Sequence, residues 1–131
     1  MARLAVNELW ALKEHYGFRV LAYVFMPDHA HFVIVPAPGY TISQTMRVIK
    51  GSIARRVNAA AERAGSVWQD SFRADLPKSL DALNAYIRYI EDNPVAGGLS
   101  PTRESYPYSS ADGRCIAEYR EYLATEREGA G

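Results

Sequence analysis

The run Val24-Phe25-Met26-Pro27-Asp28-His29-Ala30-His31-Phe32-Val33-Ile34-Val35 constrains the fold of this chain more than any other segment. Apolar, aromatic and β-branched residues flank Pro27-Asp28 on both sides, which predicts two strands, over residues 18–25 and 29–35, joined at that turn. Side chains alternate across a strand at about 3.3 Å per residue. His29 and His31 therefore share one face, with Cβ atoms about 6–7 Å apart, while Ala30 and Phe32 take the other. Two imidazoles so spaced can close on one metal ion. A single strand histidine is ordinarily a packed or surface residue, and for the pair both metal binding and packing stand open at this point.

The rest of the chain supplies helices to cover such a hairpin. Val6, Leu9, Trp10 and Leu12 line one side of a helix expected over 6–16, with Gly17 at its C-cap. Pro36-Ala37-Pro38-Gly39 turns into a long helix over 43–64, capped by Thr41 or Ser43. A short strand over 71–76 and a helix over 79–92, ended by Pro94, follow. The order α-β-β-α-β-α predicts an α+β sandwich of helices on an antiparallel sheet. A chain of 131 residues with 48% hydrophobic content is expected to form one core, a single domain over 1–124 with a frayed polar tail at 125–131. The lone Cys115 excludes a disulfide framework and a multi-cysteine zinc site. No apolar run approaches the ~20 residues a membrane helix needs, and the basic-then-apolar order of a signal peptide is absent.

Tyr86-Ile87-Arg88-Tyr89-Ile90-Glu91-Asp92-Asn93-Pro94 is the second informative segment. At about 100° per residue, Tyr89 and Asn93 lie one turn apart, about 40° from each other, so a phenol and a side-chain carbonyl share a face. An aromatic packing stripe with a polar C-cap has the same pattern. Glu91, about 200° from Tyr89, is expected to face solvent. The formal net charge is zero, which argues against binding nucleic acid through bulk charge. Locally, Arg47, Lys50, Arg55, Arg56, Arg63 and Arg73 outnumber Glu62, Asp70 and Asp75. Such a run is commonly a solvated helix face; it also fits a stripe that tracks phosphates beside the histidines, with Trp68 and Phe72 as stacking platforms for unpaired bases.

Met26-Pro27-Asp28-His29-Ala30-His31 resembles the histidine–hydrophobic–histidine motif of the single-tyrosine transposases. Tyr89-Ile90-Glu91-Asp92-Asn93-Pro94-Val95-Ala96-Gly97-Gly98-Leu99 is similar to their Tyr-Ile-x-x-Asn-Pro-Val-x-x-Gly-Leu block. Lys50, Val67-Trp68-Gln69-Asp70-Ser71-Phe72 and Tyr106-Pro107-Tyr108-Ser109-Ser110 fall in the family's order. The nearest branch is the REP-associated tyrosine transposases. The resemblance implies a ferredoxin-like β-α-β-β-α-β core, of which the first strand has no counterpart in Met1-Ala2-Arg3-Leu4-Ala5.

It further implies that Tyr89 is the nucleophile that nicks and rejoins single-stranded DNA through a 5′-phosphotyrosine, leaving a free 3′-OH, as in DNA transposition and recombination. His29, His31 and Asn93 would hold Mg²⁺ or Mn²⁺, a choice that oxygen-rich phosphate chemistry favours over zinc. Arg47, Lys50, Arg55, Arg56, Trp68, Phe72 and Arg73 would contact single-stranded or hairpin DNA. The expected setting is the bacterial cytoplasm, at the nucleoid, as a monomer or homodimer. Tyr86, seven residues and about 10 Å before Asn93, is the rival nucleophile. Alternation turns Asp28 away from His29. The competing readings are a non-catalytic DNA-binding protein of the same family and a metal-dependent hydrolase using activated water.

Overall fold

In a computed structural model, residues 2–27, 29–61, 72–74, 77 and 79–130 are described, with the backbone alone at 61, 72–74 and 125–130. The expected hairpin forms from β1 (Arg19–Phe25) and β2 (Ala30–Val35), antiparallel, with Val24 opposite His31 and Phe25 opposite Ala30. A bulge between Val20 and Ala22 adds one residue to β1, and Leu21 and Ala22 consequently pack into the same cluster.

Both strands are buried on both faces, which requires a layer on each side. Val20, Tyr23, Phe25, Phe32 and Ile34 pack against Leu9 and Leu12 of α1 (Ala2–Tyr16) and Ile49, Ile53 and Val57 of α2 (Ile42–Ala61). Leu21, Ala22, Val24 and Val33 form the second cluster with Leu83 and Ile90 of α3 (Leu80–Ala96), flanked by Tyr119 and Tyr122 of α4 (Ile116–Ala130). The α+β sandwich expected from the element order is borne out, but the sheet is mixed and not antiparallel throughout, because the strand Phe72–Ala74 joins β2 in parallel. α2 starts in a reciprocal capping box: the Gln44 N–H donates to Thr41 Oγ1 (3.0 Å) and the Thr41 N–H to Gln44 Oε1 (2.9 Å). The 20-residue α2 carries the chain back across the sheet, and β3 (Phe72–Ala74) accordingly pairs parallel with β2, the geometry of a crossover connection. α1 begins at Ala2, four residues earlier than expected, and α4 runs into the segment expected to fray.

The outer edge of β1 is closed by the 106–110 segment. The Phe25 N–H donates to the Tyr108 carbonyl (2.9 Å), the Tyr106 hydroxyl donates to the Phe25 carbonyl (2.6 Å), and the Tyr23 N–H donates to Ser110 Oγ (3.0 Å). These bonds remove an edge that would otherwise be open to pairing. Ser110 also donates to Glu91 Oε2 (2.7 Å), so one buried hydroxyl ties α3 to β1. Ser110→Ala leaves the buried Tyr23 N–H without its acceptor and is expected to cost about 1–3 kcal/mol. Urea unfolding should show a lower midpoint at unchanged slope; an unchanged midpoint would contradict the clamp.

Candidate active site

The turn between β1 and β2 is closed by the Met26 N–H donating to the His29 carbonyl (2.8 Å). His29 stands just ahead of β2 and His31 within it, and their ring centres are 5.1 Å apart at 79°. His31 shares its sheet face with Val33, the face covered by α3. α3 lays Asn93 and Tyr89 over the histidines: His29 Nε2 is 3.3 Å from Asn93 Oδ1, and the Tyr89 ring centre is 5.8 Å from that of His31. Asn93 Nδ2 donates to the Tyr89 carbonyl (3.2 Å), which turns Oδ1 toward His29 and ties the amide to the turn that carries the phenol.

The two tyrosines differ in access. Tyr89 is 57% exposed, whereas Tyr86 is half-buried against the second cluster, its ring 6.2 Å from that of Tyr89. The phenol of Tyr89 is open to solvent and can be approached without disturbing the core.

The donor set fits a divalent cation. Two ligands about 2.1 Å from one ion, at 90–109° to each other, lie about 3.0–3.4 Å apart. The 3.3 Å between His29 Nε2 and Asn93 Oδ1 falls in that range. Two imidazoles and a carboxamide oxygen would leave half the positions of a six-coordinate ion open to other oxygens. No cluster of three or more His, Cys, Asp or Glu exists among the described residues, and His29, His31 and Asn93 are the residues that would hold a cation.

Two features of α3 depart from the sequence reading. Pro94 does not end the helix; it lies within it, and the stop is the pair Gly97-Gly98. The Gly98 N–H donates to the Val95 carbonyl (3.0 Å) and the Leu99 N–H to the Pro94 carbonyl (2.8 Å), with Gly98 at φ 73°. This is the paired 6→1 and 5→2 termination that a residue at positive φ permits. A Cβ at Gly97 would stand 3.2 Å from Met26 Cε, so the glycine lets the end of α3 close onto the turn that leads to His29.

Glu91 does not face solvent. It is half-buried beneath α3, bonded to Ser110, because the face opposite Tyr89 is the one packed on the sheet. Burial pushes its carboxyl pKa up, the Ser110 hydrogen bond opposing in part. A carboxyl raised on folding binds a proton more readily folded than unfolded, so its contribution to stability falls as pH rises from the ordinary carboxylate range through the folded value. Glu91→Gln keeps an acceptor for Ser110 and removes the buried charge. It is expected to raise the melting temperature at neutral pH, with the gain shrinking toward pH 4.5. A constant difference across that range would contradict the assignment.

The basic residues separate. Ile49, Ile53 and Val57 seat α2 on the far face of the sheet, so the cations of α2 belong to the layer opposite the histidines. Arg47, Lys50 and Arg55 are exposed, with Arg55 donating to Ser52 (3.1 Å). Arg56 is turned to α1, where it pairs with Glu8 at 2.8 Å. Arg73 stands opposite His31 in the β2–β3 register and Phe72 opposite Ala30, by backbone; Trp68 and Asp28 lie outside the described residues. Sequence reasoning missed Glu91 and Ser110. The signal available was Ser109-Ser110 closing an aromatic run, which marks a polar group among buried neighbours.

Residues 5–93, which contain both histidines, Tyr89 and Asn93, match the family described as Transposase IS200 like. A curated relative from Haemophilus influenzae, named as a REP-associated tyrosine transposase, is 27% identical over 107 residues, covering 74% of this chain and 61% of the relative. A solved structure of a REP-associated tyrosine transposase bound to a REP hairpin superposes with a TM-score of 0.67 at 22% identity, over 83% of this chain and 64% of that one. The chain thus spans less than two thirds of each relative's length, and the structural likeness establishes the fold.

Proposed function

This chain belongs to the IS200-like transposase family, and from that premise we propose that it nicks and rejoins single-stranded DNA through a covalent bond to Tyr89. The observation that carries the reading is the exposed Tyr89 phenol beside His31, on the helix face whose Asn93 oxygen meets His29. His29, His31 and Asn93 would hold Mg²⁺ or Mn²⁺. When bound, such an ion supplies Lewis-acid polarisation of a phosphate oxygen.

The chain's own residues do the rest. Tyr89 Oη forms a bond to the phosphorus of the scissile phosphodiester as the bond to the 3′ oxygen breaks. The phenol gives up one proton and the departing 3′ oxygen gains one, so the products are a 5′-phosphotyrosine and a free 3′-OH. The phosphoester is conserved, and attack by a 3′-OH on the phosphotyrosine reseals a strand and frees Tyr89 without ATP. Asn93 positions the phenol through its bond to the Tyr89 carbonyl. Single-stranded or hairpin DNA is the proposed substrate, with Arg47, Lys50 and Arg55 offering phosphate contacts from the far layer. Among the described residues no helix is long and apolar enough to cross a membrane.

The test is a labelled single-stranded oligonucleotide carrying a hairpin, incubated with the protein and Mn²⁺ and run on a denaturing gel. A labelled band that migrates with the protein is expected and should vanish on proteolysis. DNA binding without such a band would favour the non-catalytic DNA-binding reading.

A further inference from the structure

A second basic site lies across the sheet from the histidines. Arg3, Val6 and Asn7 on the first two turns of α1 face Pro107, Tyr108 and Arg114 across a cleft of about 220 Å³, where a single water needs only about 10–15 Å³. Arg3 and Asn7 are one turn apart, so guanidinium and amide rise from one face of the helix. Arg114 is held in place: its Nε donates to Asp112 Oδ2 (2.9 Å) and its Nη1 to the Tyr23 hydroxyl (3.1 Å). Asp112 offsets one charge. Glu8, the neighbouring carboxylate on α1, is already engaged by Arg56, and among the described residues Arg3 forms no ion pair. Two guanidiniums, one of them fixed by its partners, converge on an open cleft with an amide donor and an aromatic wall. That is anion-binding chemistry of the kind phosphates select.

The place of the cleft in the fold decides which phosphate. α1 is about 22 Å long and leads through Gly17-Phe18 into β1, about 23 Å long and packed beneath it. The first turns of α1 therefore lie over the end of β1 where Phe25 meets Ala30. Tyr108, on the opposite wall, accepts the Phe25 N–H at 2.9 Å. The cleft thus opens at the hairpin end of the sheet, the end that carries His29 and His31, on the other face.

We propose that this cleft binds a backbone phosphate of the DNA whose scissile phosphate lies at Tyr89, so that the nucleic acid wraps the hairpin end of the sheet. The inference rests on the DNA-processing reading above. Binding of a synthetic DNA hairpin with a single-stranded extension, measured in chelator so that no adduct forms, separates the two. Arg3 is exposed, and its replacement leaves the core untouched. Loss of one phosphate contact removes about 0.7–0.9 from the slope of log K against log salt, which is about a five- to eightfold loss of affinity at 0.1 M salt. Arg3→Ala should show both changes, and Arg3→Lys should keep the slope. Arg120→Ala, which removes the same charge from the exposed face of α4, should leave the slope unchanged. If Arg3→Ala binds the hairpin with unaltered slope, or if Arg120→Ala loses as much, the cleft is not a phosphate site, whatever the adduct assay gives. If the unaltered chain binds no hairpin, both the cleft assignment and the DNA-processing reading fall.

Discussion

Tyr89→Phe is expected to form no denaturant-resistant DNA adduct, a loss of at least about a thousandfold, while Tyr86→Phe keeps the adduct. Phenylalanine retains the ring that packs edge-on to His31 and deletes only the oxygen proposed to form the covalent bond. Because the side chain is more exposed than buried, the change should leave the unfolding midpoint unaltered, and cation and hairpin binding should persist. Tyr86 is half-buried and points its ring into the second cluster, so its hydroxyl is poorly placed to meet a strand. An adduct surviving in Tyr89→Phe would place the nucleophile elsewhere.

His29→Ala should weaken Mn²⁺ binding, measured by calorimetry, by more than about a hundredfold. Loss of an outer partner of a ligand alone costs about 10–100-fold, and here the proposed ligand itself is removed. His29 is the better choice for the test because it is only partly buried, whereas His31 is 9% exposed and its truncation also opens a cavity. His15, the remaining histidine, is exposed on α1 and meets Tyr16 edge-on, so His15→Ala should leave the affinity unchanged. Affinity in the unaltered protein should fall on acidification, since ligating imidazoles must be unprotonated. Equal Mn²⁺ affinity in His29→Ala and the unaltered chain would remove the pair from the cation site.

The hairpin and the meeting of its two histidines on one face were legible from the sequence because β2 alternates without a bulge: a one-residue slip would have moved Phe32 and Ile34 to the face under α3, and His31 to the face under α1 and α2. The shared face of Tyr89 and Asn93 followed in the same way from helical periodicity. The end of α3 was not legible from Pro94, since a proline within a helix loses one hydrogen bond but does not forbid the next turn when a glycine about one turn on can adopt positive φ. The place of Glu91 was missed for a different reason. A charged residue opposite an expected active-site tyrosine reads as solvent-facing only if the tyrosine face is the buried one, and here the tyrosine face is the exposed one. The placement of the α2 cations in the layer away from the histidines depends on which side of the sheet α2 packs, a tertiary choice that no local pattern in α2 reports. Arg56 is spent on Glu8 for the same reason: its partner is 48 residues away.

The central claim is that Tyr89 bonds covalently to DNA, and the most direct measurement is to locate the bond. Trypsin separates the two candidates, because cleavage after Arg88 leaves Tyr86 on the peptide 79–88 and Tyr89 on the peptide 89–103. Adduct formed with Mn²⁺, trimmed with nuclease and digested, should carry its nucleotide remnant on Tyr89 by fragmentation mass spectrometry. A remnant on Tyr86, or on any other residue, would contradict the account.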